Sequence, residues 1–595
     1  MSDQKVKRIA YGVTDFEKLI LDYSYYVDKT KYLKLIEVAG DYLFFIRPRR
    51  FGKTLFLSMM ESYYDISKSD QFDLFYGSTR IHSHPTDERN SYLVLKFNFS
   101  AVDPHPKRIE ASFLNNVRNA ADSFLLKYAD YLEGGDGEKL RNKLENTSSP
   151  ADVLSHVVKL CRDSNRKVYI IIDEYDNFAN TILSTSGSAA YENLTHGEGF
   201  FRSFFNFLKE GTSGSGAPIS RLFITGVSPV TLDDVTSGFN IGKNISIDPV
   251  FNEMLGFTGE DVIEMIEYYR QHGLIAHPTD YLMEIMNAWY NNYIFSKDAK
   301  TTLFNSDMVL YFMDKYMGNS KIPDNLIDRN VRIDYGKLRH LIVIDSDRKT
   351  LTNGNFSRLK QIIEENRIES ELVEGFPVDK LTHTGNFISL LFYFGLLTIK
   401  GVSEEDEATI LQVPNETVRR LYYDYIKEAY EETDIFSLDL YDYDRLMRGM
   451  AYRGEWKPLF EYLAVRMEAG MGLRDLITGE KSIQAFLNVY LGLSQLYIIH
   501  SEKEMNKGFA DIVMEPFVAR YGGIKYAYIL EIKYLKKGDK GKDLELKIKE
   551  AEEQLARYTG DEKFQKATAG TMVVKLVLVF SGTELTYIGE ATEIG

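Results

Sequence analysis

Short apolar runs alternate with longer helical spacings over the first 260 residues, which predicts an α/β domain around a mostly parallel sheet. The expected strands are YLFFI (42–46), YLVLKFNF (92–99), KVYIII (167–172), RLFIT (221–225) and NISI (244–247). Helices are expected in the gaps, as at 106–132 and 196–209, and TSGSGAP (212–218) reads as the loop before the fourth strand. Right-handed crossovers would bring the loops after these strands to one sheet edge, where ligands bind. From about residue 258 the texture turns helical. FTGEDVIEMIEYYRQHG opens on Thr258 with an acidic first turn, then shows apolar residues at helical spacing. FISLLFYFGLLTI (387–399) followed by EATILQVPNETVRRLYYDYI predicts a helix, a short hairpin and a helix, a winged-helix-like outline. The end of the chain returns to α/β, with a helix near 480–492, strands near 508–514 and 525–533, a charged helix at 543–558 and the strand VVKLVLVF at 573–580.

A multidomain α/β protein is therefore expected: a parallel-sheet domain at 1–257, a helical, winged-helix-like region at 258–430, a helical connector at 431–475 and a second α/β domain at 476–595. The length of 595 residues suits this division at ~100–200 residues per domain. A 44% hydrophobic content supplies cores for all of them and argues against disorder. The single cysteine, Cys161, excludes an internal disulfide framework or a cysteine-based zinc site and suits a reducing compartment. The N-terminal stretch has no apolar signal core, and no apolar run approaches the ~20 residues of a membrane helix. A soluble, cytoplasmic protein with no membrane partner is the expectation. The net charge of −16 gives no long-range attraction to nucleic acid, so contact with DNA or RNA would need local basic patches.

Candidate chemistry begins at YLFFIRPRRFGKTLFLSMM. A phosphate loop needs a buried strand, a tight turn whose N–H groups wrap phosphates, a lysine for the β/γ oxygens and a hydroxyl for Mg²⁺. The following helix adds its positive N-terminal end. Gly52, Lys53 and Thr54 fit the end of that pattern, and the binding stretch is taken as Arg50, Phe51, Gly52, Lys53, Thr54 and Leu55. The first glycine of the pattern falls on Arg47. A basic surface turn with a chance Gly-Lys-Thr would look the same locally, so a second feature must decide. KVYIIIDEYDNF supplies it by placing Asp173 and Glu174 at the end of an apolar strand. There one carboxylate can hold Mg²⁺ and its neighbour can orient water. Thr225 ends a third strand as a candidate γ-phosphate sensor, and Arg202 is a candidate charge stabiliser on the helix before it.

IRPRRFGKT, with DYSYYVDKT upstream (22–30) and IIIDEYD downstream, resembles the AAA-ATPase-like family of bacterial proteins over roughly residues 8–260. The resemblance implies a P-loop, AAA-like domain in which an arginine at position 47 is normal. It implies ATP as the ligand, with Lys53, Thr54, Asp173 and Glu174 in the phosphate, magnesium and water-activating roles.

Near the C-terminus stand GFADIVMEP and YAYILEIKYL. Glu531 and Lys533, two apart on a strand, project from one face, and Asp511 can join them if the strands are neighbours. Two carboxylates and a lysine suit a hard divalent cation plus a group that steadies a nucleophilic water, an arrangement for phosphodiester hydrolysis. An exposed Glu-x-Lys pair is the ordinary alternative. The apolar context ILEI, a helix carrying Gln554 and Tyr558, and Glu480 on an earlier helix favour a site. In this order the residues resemble the PD-(D/E)XK nuclease superfamily over about 476–595, which implies a restriction-endonuclease-like fold. By that resemblance Asp511, Glu531 and Lys533 are catalytic, with Asp511, Glu531 and Glu480 holding Mg²⁺ or Mn²⁺. Glu502 and Glu504 compete with Glu480 as the additional acid. Lys533, Lys536, Lys537, Lys540 and Lys542 could meet a phosphate backbone, or could form a solvated loop.

Two functions fit. One is an ATPase module joined to a metal-dependent nuclease acting on DNA or RNA. The other is a nucleotide-dependent switch whose nuclease-like domain binds nucleic acid or a partner without cutting, with the 258–430 region relaying the ATP state. A homo-oligomer is compatible with either.

Overall fold

The computed structural model describes residues 5–591 except 133–136, 187–190, 192, 194–198, 214–215, 231–240, 332–353, 378–379, 381–382, 405–406, 433–435, 471–472, 474–476, 506–507, 519, 537–540 and 559–561. Lys537 and Lys540 thus lie outside the described residues. The chain forms two compact units, one of residues Met1–Ile344 and Glu369–Asn415, the other of Asp345–Ile368 and Glu416–Gly595.

The first unit is built on strands β1 (Tyr42–Ile46), β2 (Leu93–Asn98), β3 (Val168–Asp173), β4 (Ile219–Gly226) and β5 (Lys243–Asn244), in the order β2-β3-β4-β1-β5. All pairings are parallel. Every residue of β3 is buried, as a strand covered on both faces by crossover helices must be. The helices Ile109–Lys127 and Pro150–Asp163 pack together, and the rings of Phe97, Phe99, Phe113, Phe201 and Phe204 interlock in mostly edge-on contacts, with Phe99 and Phe113 tilted. The expected strand at 244–247 is shorter than its sequence suggests. After Asn244 the pairing passes from backbone to side chain, because Ser246 Oγ accepts from Ile46 N at 2.8 Å.

The helix Gly259–Gln271 starts where its sequence places it, with Thr258 and Asp261 in a reciprocal capping box. A second helix, Ser306–Asn319, is capped by Asn305. After β6 (Arg367–Ser370), the helix Thr384–Tyr393 leads into the antiparallel hairpin of β7 (Thr398–Val402) and β8 (Thr409–Gln412), and the helix Glu416–Glu432 follows. Among the described residues no helix is long and apolar enough to cross a membrane.

The second unit carries β9 (Tyr497–Met505), β10 (Gly508–Pro516), β11 (Tyr526–Tyr534), β12 (Met572–Ser581) and β13 (Glu584–Glu590), in the order β13-β12-β11-β10-β9. Only β11 and β12 run parallel. The helix Glu480–Gly492 packs on β9, β10 and β11, and the helix Gly541–Arg557 on β10, β11 and β12. Ala527 and Ile529 share a core with Ala551 and Leu555. The alternation of the strand carries that same face of β11 onward to Glu531 and Lys533.

Candidate functional site

In the first unit the chain leaves β1 into the RPRRFG turn and enters the helix Lys53–Tyr64. Gly52, at φ 90°, makes the left-handed corner that a side chain would strain. Arg47 turns inward and is 1% exposed. Its guanidinium donates to the carbonyls of Ile46 (3.0 Å), Ser246 (2.5 Å) and Phe251 (3.0 Å). It also lies over the rings of Phe45 and Phe295. Burial pulls its pKa down to about 9. The residue in place of the expected glycine is therefore an internal strut that ties the loop to the 246–251 segment. Phe51 is likewise an anchor, edge-on to Tyr293 and Phe295. Arg50, at φ 68°, reaches Asp307 at 2.7 Å and Asp328 at 3.6 Å.

Lys53 Nζ donates to the carbonyls of Arg47 (2.9 Å) and Pro48 (2.8 Å), curling back over its own loop. Burial pulls its ammonium down to about 8 against the opposing pull of Glu174, Asp173 and Asp176, and Arg49 adds to the lowering. At the next residue, Thr54 Oγ1 donates to Asp173 Oδ2 at 2.8 Å. Asp173 Oδ1 is buried with no hydrogen-bond partner among the described residues. A hydroxyl beside a carboxylate with an unsatisfied oxygen is the donor set a hard divalent cation takes. Glu174, at φ 51°, is half-buried next to them, and burial holds its carboxyl above the usual range although Lys53 pulls it down.

Lys53, Thr54 and Glu174 border a cavity of about 530 Å³, with Asp173 buried behind Thr54. The loop and the start of its helix, from Arg49 to Leu55, form one side; Val13, Tyr25, Val27 and Lys29 contribute another, and Ser306 and Asp307 a third. The structure does not bring every expected residue here. Thr225 is buried in the sheet with its hydroxyl donating to Phe45 O at 2.6 Å, and neither it nor Arg202 lines the cavity. Sequence reasoning passed over the second half of DEYD. Tyr175 donates to Ser228 O at 2.6 Å, while Asp176 accepts from Val227 N (3.0 Å) and Ser228 N (2.5 Å). Together they clamp the turn after β4, where Gly226 leaves no room for a Cβ against either ring or carboxylate. The repeat of aromatic and acid after the strand end was the available signal.

In the second unit the β10–β11 register sets Ile512 opposite Leu530, which brings Asp511 level with Glu531. Asp511 Oδ2 accepts from Ile532 N at 2.7 Å. Burial, then the charge of Glu531, pushes the Asp511 carboxyl up to about 7. Glu531 is 1% exposed; Lys533 Nζ lies 3.3 Å from its Oε2 and the Tyr558 hydroxyl 2.9 Å from its Oε1. The same hydroxyl is 2.6 Å from Phe509 O, so the tyrosine pins both strands. Glu480 Oε1 approaches Lys533 at 3.7 Å. Its rival Glu502 turns to Lys481 at 3.8 Å, and Glu504 stands exposed on β9. Gln554 Oε1 is buried without a hydrogen-bond partner among the described residues. Lys536 and Lys542 are exposed nearby in sequence. Among the described residues no three His, Cys, Asp or Glu side chains form a ready cation cage. Asp511 and Glu531 provide two carboxylates, and Lys533 occupies the space toward Glu480. Two convergent carboxylates still fit a divalent cation whose remaining positions are filled by water or a phosphate oxygen.

The sequence profile of a predicted AAA-ATPase family, the AAA-ATPase-like family, matches residues 10–236, and that of a PD-(D/E)XK nuclease superfamily domain matches residues 478–590. The "Uncharacterized protein in vnfD 5'region" of Azotobacter chroococcum mcd 1 is 26% identical over 341 residues, covering 54% of this chain and 56% of the relative. The chain thus spans about half the length of that relative. The matched segments contain the two clusters just described, the loop with Asp173 and the carboxylates with Lys533. The chain is thus similar to the predicted AAA-ATPase-like family over residues 10–236 and to the PD-(D/E)XK nuclease superfamily over residues 478–590.

Proposed function

We propose that the protein binds and hydrolyses ATP in its first unit and cleaves phosphodiester bonds of nucleic acid in its second. The observation that carries the first half is the Thr54–Asp173 hydrogen bond beside an unsatisfied Asp173 oxygen, with Lys53 and Glu174 on the same cavity. Lys53 would leave its loop carbonyls for the β/γ oxygens, and Glu174 would orient water and accept its proton. Mg²⁺ held by Thr54 and Asp173 would neutralise phosphate charge. In the second unit Asp511 and Glu531 would hold Mg²⁺ or Mn²⁺, which would polarise the scissile phosphate. Lys533 supplies a fixed positive charge for the oxygen on which negative charge grows.

A nucleotide-dependent switch that binds nucleic acid without cutting is the second reading. It is favoured by the position of Lys533 between Glu531 and Glu480, where a third carboxylate would otherwise complete a cage. Cleavage of DNA and RNA, with Mg²⁺ or Mn²⁺ and with or without ATP, separates the readings when wild type is compared with Lys53→Ala and Glu531→Ala. Metal-dependent cleavage that Glu531→Ala abolishes supports the nuclease. A wild type that cuts nothing under any of these conditions, yet retains nucleic acid on a filter, supports the switch. Undiminished ATP binding by Lys53→Ala would remove the nucleotide reading altogether.

A further inference from the structure

The three arginines of RPRRF meet three different surroundings. Arg47 is clamped by three carbonyls and two rings, and Arg50 turns to Asp307 and Asp328. Arg49 lines the cavity with Lys53 and Glu174, and its Nη2 lies 3.3 Å from Asn177 Oδ1. Asn177 opens the helix Asn177–Ser186, three residues beyond Glu174. A guanidinium held there stays beside the water-orienting carboxylate instead of extending into solvent. Arg49 and Lys53 also place two positive charges on one cavity, either side of the Glu174 carboxylate in the set of interacting charges. The charge of Arg49 is close enough to act on both Lys53 and Glu174. A polyanion placed along the loop would meet lysine on one flank and arginine on the other.

We propose that Arg49 is a catalytic residue for nucleotide hydrolysis, supplied by the phosphate loop itself and contacting the γ-phosphate of the bound nucleoside triphosphate. This assignment rests on the ATPase reading above. In the step, the water oxygen forms a bond to the γ-phosphorus while the bond from that phosphorus to the β–γ bridging oxygen breaks. The electron pair of the broken bond stays on ADP. One water proton passes to Glu174 and on to solvent, and the other remains on the released phosphate. Negative charge gathers on the γ oxygens and the bridging oxygen, and a planar fork of N–H donors matches that distribution better than a point charge does. Arg202, the candidate for this role by sequence position, does not line the cavity.

The test uses the full chain and three measurements: single-turnover ATP hydrolysis, affinity for a non-hydrolysable ATP analogue, and formation of an ADP–aluminium fluoride complex. Arg49→Ala is expected to slow hydrolysis by ~10³-fold or more. Its analogue affinity should stay within about threefold of wild type, with an unchanged melting midpoint. It should also fail to form the aluminium fluoride complex that wild type forms. Arg49→Lys should recover part of the rate. Should the alanine variant not fold, the lysine variant decides, and a rate ~10-fold or more below wild type supports the role. Hydrolysis by Arg49→Ala within about threefold of wild type overturns the assignment, as does a loss of analogue affinity equal to the loss of rate. In both cases the ATPase reading stands. A wild type that turns over no nucleoside triphosphate removes the reading and the assignment together.

Discussion

Thr54 Oγ1 lies 2.8 Å from Asp173 Oδ2, which joins the first turn after the phosphate loop to the tip of a strand 119 residues later in the chain. The bond leaves Asp173 Oδ1 buried with no hydrogen-bond partner among the described residues, so the pair sets one carboxylate oxygen and one hydroxyl in fixed positions. Replacing Thr54 by Val keeps the shape and removes the hydroxyl. The Mg²⁺ concentration that half-supports nucleotide binding should rise by ~10–100-fold, the scale on which an altered metal environment is felt. A titration of Mg²⁺ against a fluorescent ATP analogue measures this, and an unchanged midpoint would separate Thr54 from the metal.

Nucleotide affinity should depend on pH through Lys53. Burial places its ammonium near a pKa of about 8 in the free protein, and phosphate oxygens raise it on binding. Below about 8 the charge is already present. Above it each binding event must take up a proton, so affinity falls as pH rises. Calorimetry in buffers of different ionisation enthalpy should find no proton uptake by this group near pH 6.5 and clear uptake near pH 9.

Restoring glycine at position 47 should harm the protein. Arg47→Gly would strip the carbonyls of Ile46, Ser246 and Phe251 of a donor, remove a side chain stacked on two rings and loosen the backbone. A loss of about 2–4 kcal/mol is expected from these effects together. Urea unfolding of the full chain reads it out. A variant as stable as wild type would mean that Arg47 is no strut.

Much of this was legible in the sequence, and the arginines show where legibility stopped. β1 to β4 and the strand-end acids follow from apolar runs that close on polar residues, so Lys53, Thr54, Asp173 and Glu174 could be named before any coordinates. Which way Arg47, Arg49 and Arg50 point could not be read, because their partners lie as far away as Phe251, Asn177 and Asp307. β9 went unseen for another reason. Its second half, SEKEM, is polar and partly exposed, and only pairing with β10 makes it a strand. β13, ELTYIGE, is an edge strand with the same deficit.

The pair Asp511–Glu531 predicts a protein that is less stable at neutral pH than it need be. The Asp511 carboxyl, raised to about 7 when folded, holds a proton that the unfolded chain gives up near its ordinary value. Its contribution is therefore fully present below about pH 4 and is lost as pH rises toward 7. Without added metal, Asp511→Asn should melt above wild type at pH 8, with the gap closing toward pH 5. Divalent cation should raise the wild-type midpoint by more than that of the variant, which keeps the Thr54–Asp173 pair. A variant that melts lower at pH 8 would contradict a raised Asp511 carboxyl in the folded protein.

Tyr558→Phe should separate positioning from folding. The ring packs in the core of the second unit, whereas the hydroxyl reaches Glu531 and Phe509. Cleavage is expected to fall ~10–100-fold while the melting midpoint changes little. Equal losses in both would make the hydroxyl a structural bond only.

The strand order β2-β3-β4-β1-β5 also sets a timetable for synthesis. β1 has both its neighbours, β4 and β5, more than 170 residues downstream, since Ile46 is followed by Ile219 only after three crossovers, through β2 and β3, have been made. At roughly 5–20 residues per second, a ribosome needs on the order of ten to forty seconds to bridge that gap. During that interval the emerging chain already carries Gly-Lys-Thr but has nothing to hold it in a loop. The second site is local by comparison, because β9, β10 and β11 follow one another in sequence and pair in that order. A nascent chain arrested before residue 219 would therefore bear the motif and bind no nucleotide.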